Sequence, residues 1–247
     1  MTPPLPPRPA LFLDVDGTLV PISTRPEDTR PDRALIRQLD RLHSALGGAV
    51  AILSGRTLAT LSQLLSPLAL PAAGVHGLER RRSDGSIVLT GANEVALKDA
   101  RTALVQLARA EPELQIEDKN VAFAIHYRAI PHRESQVASA LEEIARQLGP
   151  AYHVQAGLFV LELKPRRVNK GTALAEFMTE KEFRGRQPVA IGDDLTDLHA
   201  FRVAEELGGM GIAVGDRICA QWHFPHPYAL RAWLDDLVAR VSRTPCD

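Results

Sequence analysis

The feature that most constrains the fold is a series of short apolar segments, each followed by small or charged residues. These segments are ALFLDV (10–15), AVAILSGR (49–56), PVAIGDD (188–194) and GMGIAVG (209–215). Such near-continuous apolar runs are typical of strands that a parallel sheet buries on both faces. A helical pattern with apolar residues three or four positions apart follows the first run, over residues 31–46. The alternation predicts an α/β fold with a parallel sheet.

Residues 93–164 interrupt this alternation. Helices are predicted over 93–110 and 133–148, and strands over 113–117, 121–129, 151–154 and 158–164. The short links between strands favour antiparallel hairpins. After the insert, helices are predicted over 170–183, 195–206 and 228–241. We therefore predict a core domain built from residues 1–92 and 165–247, with an α+β domain inserted over 93–164.

Composition excludes several partners. The 247 residues are 45% hydrophobic and 24% charged, with a formal net charge of −1, as in an ordinary globular protein. This charge predicts no nucleic-acid or membrane partner. No segment has the length of a membrane span, and the proline-rich start lacks the apolar stretch of a signal peptide. Cys219 and Cys246 form no disulfide framework, so a reducing, cytoplasmic location is expected. A weak homo-oligomer stays open.

One further stretch, ERRRSDGSIVL (79–89), predicts a hairpin around Asp84 and Gly85. Its three adjacent arginines could form a local basic patch, although such a run is more often a solvated face.

Four polar clusters lie where ligands of doubly wound sheets bind, beyond the carboxyl ends of strands or at a helix start facing them. They are Asp14 with Asp16, Ser54, Lys170, and Asp193 with Asp194. Each alone is commonly a turn or a helix start. Their joint occurrence in this order predicts an active site.

These residues fit phosphoryl transfer through a covalent aspartate. A carboxylate can attack phosphorus, and the phosphate charge requires a divalent cation and a cationic side chain. We assign Asp14 as nucleophile and metal ligand, and Asp16 as general acid–base whose main-chain carbonyl also binds the metal. Ser54 donates to a phosphate oxygen, Lys170 offsets charge, and Asp193 completes the metal site. Mg²⁺ is the expected cofactor, because it prefers oxygen ligands and keeps several waters.

The spacing of Asp14 and Asp16 supports this assignment, because residues i and i+2 of a strand share a face. Thr18 is expected to hold the loop that follows. The other supporting residues flank the clusters: Gly55, Arg56, Asp194 and Asp197. We expect the two aspartates to orient water ligands or the lysine, and the arginine to form a salt bridge or contact substrate.

The motifs DVDGT, SGR, NKG and GDDLTD resemble those of the haloacid dehalogenase superfamily. The stretches GVHGLE, EDKNVAFAIHYR and LELKPRRVNKG, together with IGDDLTDLHAF, resemble more closely the trehalose-6-phosphate phosphatase family. The resemblance implies a Rossmannoid parallel-sheet core, a mobile cap domain inserted between the second and third motifs, and Mg²⁺-dependent hydrolysis of trehalose 6-phosphate. Leu198 departs from the pattern, since the family usually has an acidic residue there.

In that family the cap binds the distal glucose through acidic, lysine and arginine side chains. The matching positions here are Glu117, Lys119, Arg128 and Glu162, with His126 nearby. A solvated charged sheet face is the alternative for this set. His76 is a further substrate-binding candidate, which a capped loop in the core explains equally well, as it does Glu79.

Two other functions stay open. One is a related sugar-phosphate phosphatase, acting on sucrose-phosphate, glucosylglycerol-phosphate or mannosyl-phosphoglycerate. The other is a non-catalytic domain that binds a sugar phosphate. The pair of Asp14 and Asp16 argues against the second, because a binding module has no use for a nucleophile with an acid–base partner.

Overall fold

The structure, a computed structural model, describes residues 3–4, 6–23, 29–90 and 94–241. Its strands are β1 (Pro9–Leu13), β2 (Val50–Leu53), β3 (Ala72–Gly74), β4 (Glu79–Arg81), β5 (Ile87–Leu89), β6 (Gln115–Asp118), β7 (Phe123–His126), β8 (Tyr152–Gly157), β9 (Val160–Pro165), β10 (Gln187–Gly192), β11 (Met210–Val214) and β12 (Trp222–Phe224). Its helices are α1 (Arg33–Ala45), α2 (Leu58–Leu64), α3 (Glu94–Ala110), α4 (Glu134–Leu148), α5 (Lys170–Phe177), α6 (Leu198–Glu206) and α7 (Pro227–Val241).

The chain divides into two compact units. One comprises Met1–Val88 and Asn169–Asp247, and the other comprises Leu89–Val168. The sequence places the corresponding boundaries after residues 92 and 164. The function expected of the inserted segment, to provide substrate specificity, stays a prediction.

The first unit is built on a mixed sheet in the order β12-β11-β10-β1-β2-β3-β4-β5. The neighbours from β12 to β3 run parallel, and β4 pairs antiparallel with β3. Every residue of β1 and β2 is buried, as expected for strands covered on both faces. The predicted α/β fold with a parallel core is confirmed.

Three helices of this unit begin at side-chain caps, and the Thr57 hydroxyl caps α2 by accepting the Thr60 amide. Asp32 precedes α1, and its carboxylate accepts the Leu35 amide at 2.7 Å. Asn169 precedes α5 and forms a capping box with Thr172. This box makes Lys170 the first residue of α5, so local sequence determines where the lysine lies.

The second unit contains an antiparallel sheet in the order β6-β7-β9-β8, together with α3 and α4. Both predicted hairpins, β6–β7 and β8–β9, are present. Buried apolar side chains recur along one face of α4, including Val137, Leu141 and Ile144. The predicted order of elements is confirmed, with residue 93 outside the described residues.

Two helix ends differ from the prediction by three residues or more, the strand ends of the second unit shift by one to three residues, and one strand is additional. Helix α5 ends at Phe177 and not at residue 183, because the chain turns to stack Phe183 against Phe12 with ring centroids 5.4 Å apart. Helix α6 begins at Leu198 and not at residue 195, because the carboxylate of Asp197 accepts the Asp193 amide in the preceding turn. Strand β12 is an addition to the predicted elements, since its three residues, Trp222–Phe224, form no continuous apolar run.

The arginine run lies in β4 and the turn that follows it, within the predicted hairpin. Arg80 is buried, and it pairs with Glu176 and Glu180 of the first unit while lying over the Phe177 ring. Its place is therefore structural, and the expectation of a solvated face was wrong for this residue.

The structure describes one of the two cysteines and the lengths of the helices. Cys219 is an exposed free thiol, and Cys246 lies outside the described residues. Among the helices that the structure describes, none is both long and apolar enough to cross a membrane.

Candidate active site

The carboxyl ends of neighbouring parallel strands bring the predicted clusters together. In the sheet register Leu13 is paired with both Ile52 and Ile191. The residues that follow these strands are therefore neighbours at one sheet edge, and Asp14, Ser54 and Asp193 are all buried there. The local apolar runs end at this edge, which is why the polar residues accumulate on it.

Lys170 connects two buried carboxylates. Its Nζ donates to Asp14 Oδ1 at 2.8 Å and to Asp197 Oδ1 at 2.7 Å. The other oxygen of Asp197 accepts the backbone amides of Asp193 and Asp194. Burial alone would lower the pKa of Lys170, but the two carboxylates outweigh burial and raise it above its ordinary value. The lysine is therefore held as a cation beside the predicted nucleophile.

Asp193 is held from several sides. Its Oδ1 accepts the Thr18 hydroxyl at 3.2 Å, and its Oδ2 accepts from Arg217 at 3.0 Å. Gly17 has a φ of +86°, and a Cβ added there would lie 2.2 Å from Asp193 Oδ2. Only glycine therefore permits this close approach of the first loop to the carboxylate. Asp194 is more exposed and pairs with Arg217 at 2.8 Å.

The donor set fits a divalent cation. Within the described residues, ligand oxygens of Asp14, Asp193 and Asp197 lie within 4.8 Å of one another. Burial raises the pKa of Asp14 to about 8, with neighbouring carboxylates adding to the effect and Lys170 opposing it. Burial and Asp197 also raise the pKa of Asp193. A buried all-oxygen cluster with excess negative charge suits a hard cation. The carboxylate group contains Asp197, which the predicted metal ligands did not include.

Asp16 lies in a separate set of contacts. Both of its oxygens accept from Arg56, at 2.6 and 2.7 Å, and Oδ1 also accepts the Thr29 hydroxyl at 3.1 Å. Of the two contacts predicted for Arg56, the structure contains the salt bridge. The expected roles of Asp16 as acid–base and carbonyl ligand stay predictions.

The remaining predicted site residues of the first unit are Ser54, Gly55 and the residues of the loop after β3. The Ser54 Oγ accepts the Arg56 amide at 3.2 Å. A Cβ on Gly55 would lie 2.9 Å from the His76 ring, so the two residues are in close contact. Glu79 is buried and accepts the Leu58 amide at 2.7 Å, which makes it part of the α2 start.

The second unit brings most of its predicted residues together. Lys119 lies 3.4 Å from Glu162 and 3.9 Å from Glu117, and His126 lies 3.7 Å from Glu117. Arg128 is different, since its guanidinium lies over the Phe159 ring at 5.8 Å.

Sequence reasoning missed three polar residues of these sites. They are Thr29, Lys164 and Arg217, which contact Asp16, Glu162 and Asp193, respectively. The sequence did contain a signal for Arg217, because the GDR motif at the end of β11 parallels the GDD motif at the end of β10. Thr29 and Lys164 had none, since neither follows a core strand at the active edge.

Comparison with known proteins decides the family. The chain matches the family model for trehalose-phosphatase over residues 12–232. The chain belongs to the trehalose-phosphatase family. A probable trehalose-phosphate phosphatase of Sinorhizobium fredii is 40% identical over 211 residues, which cover 85% of this chain and 79% of that protein. The trehalose-6-phosphate phosphatase of Escherichia coli is 37% identical over 243 residues, covering 98% and 91%.

Solved structures agree with the fold of the trehalose-phosphatase family. A trehalose-6-phosphate phosphatase related protein has a TM-score of 0.74 at 28% identity, covering 94% of this chain and 98% of its own. A phosphatase of the haloalkanoate (HAD) superfamily from Bacteroides thetaiotaomicron has a TM-score of 0.63 at 16% identity, covering 94% of both, which bears on the fold alone. The predicted resemblance is confirmed, and the chain is an enzyme of the phosphomonoester hydrolase class.

Proposed function

We propose that this enzyme hydrolyses trehalose 6-phosphate to trehalose and phosphate through an aspartyl-phosphate on Asp14. The observation that carries the proposal is the buried contact of Asp14 with Lys170, beside the carboxylates of Asp193 and Asp197. Relatives named for this activity cover most of the chain. A buried carboxylate held by a lysine is suited to attack a phosphate, because the lysine offsets charge on both.

In the proposed reaction Asp14 attacks phosphorus while Asp16 gives a proton to the sugar oxygen that leaves. Asp16 then takes a proton from the water that hydrolyses the aspartyl-phosphate. Ser54 and Lys170 bind phosphate oxygens. Mg²⁺, held by Asp14, Asp193 and the Asp16 carbonyl, would offset the phosphate charge. Asp197 holds the lysine and the loop after β10.

We propose that the second unit binds the sugar hydroxyls through the cluster of Glu117, Lys119 and Glu162. Glu117, Lys119 and Glu162 lie close enough to present acidic and basic groups together to sugar hydroxyls. Arg128 and His126 are proposed to belong to the same surface, and His76 to contact substrate from the loop after β3. Charge-assisted hydrogen bonds of this kind are among the stronger ones available for sugar recognition.

The function is tested by phosphate release from a panel of sugar phosphates, with Mg²⁺ and with EDTA. We expect trehalose 6-phosphate to be the preferred substrate, and EDTA or Asp14→Asn to abolish turnover. Asp236→Asn, an exposed aspartate of α7, is the matched control and should keep full activity. Preference for sucrose-phosphate, glucosylglycerol-phosphate or mannosyl-phosphoglycerate would replace the proposed substrate. Binding of sugar phosphate without turnover by the wild type would indicate the non-catalytic alternative.

The sugar-reading cluster is tested separately. Lys119→Ala or Glu162→Ala removes a charge-assisted hydrogen bond worth about 1.5–3 kcal/mol, so kcat/KM for trehalose 6-phosphate should fall roughly tenfold or more. Turnover of para-nitrophenyl phosphate should change much less. Lys98→Ala, an exposed lysine of α3, is the control. Equal losses on both substrates would contradict a role in binding the sugar.

The cytoplasmic location and the oligomeric state stay predictions.

A further inference from the structure

Thr29 lies outside every motif, yet it is buried against the predicted acid–base residue. Only 3% of Thr29 is exposed. Its hydroxyl donates to Asp16 Oδ1 at 3.1 Å and accepts from Arg56 Nη2 at 2.8 Å. Nη2 also donates to Asp16 Oδ1 at 2.7 Å, and Nε donates to Oδ2 at 2.6 Å. The three side chains therefore form a closed triangle of hydrogen bonds.

The two oxygens of Asp16 accept different numbers of hydrogen bonds in this triangle. A carboxylate has about four acceptor positions, two on each oxygen. Among the described residues, side-chain donors from Thr29 and Arg56 use both positions on Oδ1, whereas Arg56 alone uses one on Oδ2. The remaining acceptor position is on Oδ2. The Asp16 side chain is 34% exposed, so the residue is accessible to solvent.

We propose that Thr29 is a positioning residue, which together with Arg56 occupies Oδ1 of Asp16 and leaves Oδ2 to transfer the proton. The inference rests on the proposed function of Asp16 and extends it to a residue that no motif contains. Thr29 acts only through Asp16 and touches no reacting atom itself.

Each of the two steps conserves its protons. In the first, the bond from phosphorus to the sugar oxygen breaks, the bond from phosphorus to Asp14 forms, and the proton on Asp16 Oδ2 passes to the sugar oxygen. In the second, water attacks phosphorus, the bond to Asp14 breaks, and Oδ2 takes one proton from that water. Oδ2 thus ends protonated, as it began.

A change in the hydroxyl of Thr29 should therefore show in how the rate depends on the leaving group. An acidic leaving group needs no proton, whereas a weakly acidic one does. Substrates without sugar, a series of aryl phosphates with leaving groups of graded acidity, isolate this effect from sugar binding. The slope of log kcat/KM against leaving-group pKa is the readout, since a general loss of folded enzyme would lower every rate equally.

The variants are Thr29→Val, which keeps the shape and removes the hydroxyl, and Thr29→Ser, which keeps the hydroxyl. We expect Thr29→Val to lose roughly tenfold on the least acidic leaving group and about twofold or less on para-nitrophenyl phosphate. Thr29→Ser should match the wild type. Thr179→Val, an exposed threonine whose hydroxyl bonds a backbone carbonyl, is the control and should leave the slope unchanged.

Arg56→Lys provides a second route if Thr29→Val does not fold, because lysine keeps the charge and cannot donate to both oxygens. It should steepen the slope in the same direction. Asp16→Asn sets the limit, and the Thr29→Val slope should lie between it and the wild type. A wild-type slope in folded Thr29→Val would overturn the inference, and so would a wild-type slope in Arg56→Lys where Thr29→Val does not fold. An unchanged slope in Asp16→Asn would instead refute the acid role in the proposed function.

Discussion

Replacing Asp14 with asparagine should make the protein more stable in the absence of divalent cations, even though it removes the proposed nucleophile. The side chain of Asp14 is 7% exposed, and burial raises its pKa to about 8 against the lowering effect of Lys170. The carboxylates of Asp197 and Asp193 add to the increase. An amide of the same shape carries no charge and avoids this cost.

The magnitude follows from the two pKa values. Between the ordinary aspartate pKa of 3.8 and the folded-state pKa of about 8, the folded state binds more protons than the unfolded state. Its free energy of unfolding therefore falls as the pH rises through this window. The most that removing this carboxyl group can add to the free energy of unfolding is about 5 kcal/mol at pH 7.5 and about 1 kcal/mol at pH 4.5. We expect a gain of about 2–4 kcal/mol at pH 7.5, because the amide accepts from Lys170 less strongly than a carboxylate does.

Urea denaturation in EDTA, followed by circular dichroism at pH 4.5 and 7.5, measures this gain. Asp236→Asn is the control, since it removes an exposed carboxylate in α7 and should change stability by less than about 0.5 kcal/mol. A free energy of unfolding of Asp14→Asn no greater than that of the wild type at pH 7.5 would contradict this prediction. An equal gain at both pH values would also refute it, because the cost must grow with ionisation.

Three further predictions concern stability. Gly17→Ala should lower the free energy of unfolding by about 1–3 kcal/mol more than Gly85→Ala does. Both glycines have a left-handed φ, but only a Cβ at position 17 would lie against Asp193. Thermal unfolding of the two variants measures the difference. Asp32→Ala should cost about 0.5–2 kcal/mol through loss of the α1 cap. Because the first-turn amide lowers the pKa of Asp32, this loss should be full above about pH 4 and fade as the pH falls below the folded-state pKa, in urea titrations at several pH values. Arg80→Met should lower the free energy of unfolding by about 3 kcal/mol, because it leaves the partly buried carboxylate of Glu180 without its arginine. The double variant Arg80→Met with Glu180→Gln should recover most of this loss.

The sequence by itself determined the scaffold of the site. Apolar runs of strand length predicted which strands the sheet buries, and the polar residues after them had to lie at the carboxyl edge. The cap formed by Asn169 likewise determined that Lys170 begins α5. These features depend on residues within a few positions of one another, so a local pattern is sufficient to predict them.

Only the tertiary structure decided which side chains meet. Lys170 contacts Asp14 across 156 positions, Arg217 contacts Asp193 across 24, and Thr29 contacts Asp16 across 13. Arg80 is buried because α5 and the turn after it supply Glu176 and Glu180, about a hundred positions away, which no local pattern in an arginine run can predict. Burial of a charge depends on its partner, and strand order and helix packing determine that partner.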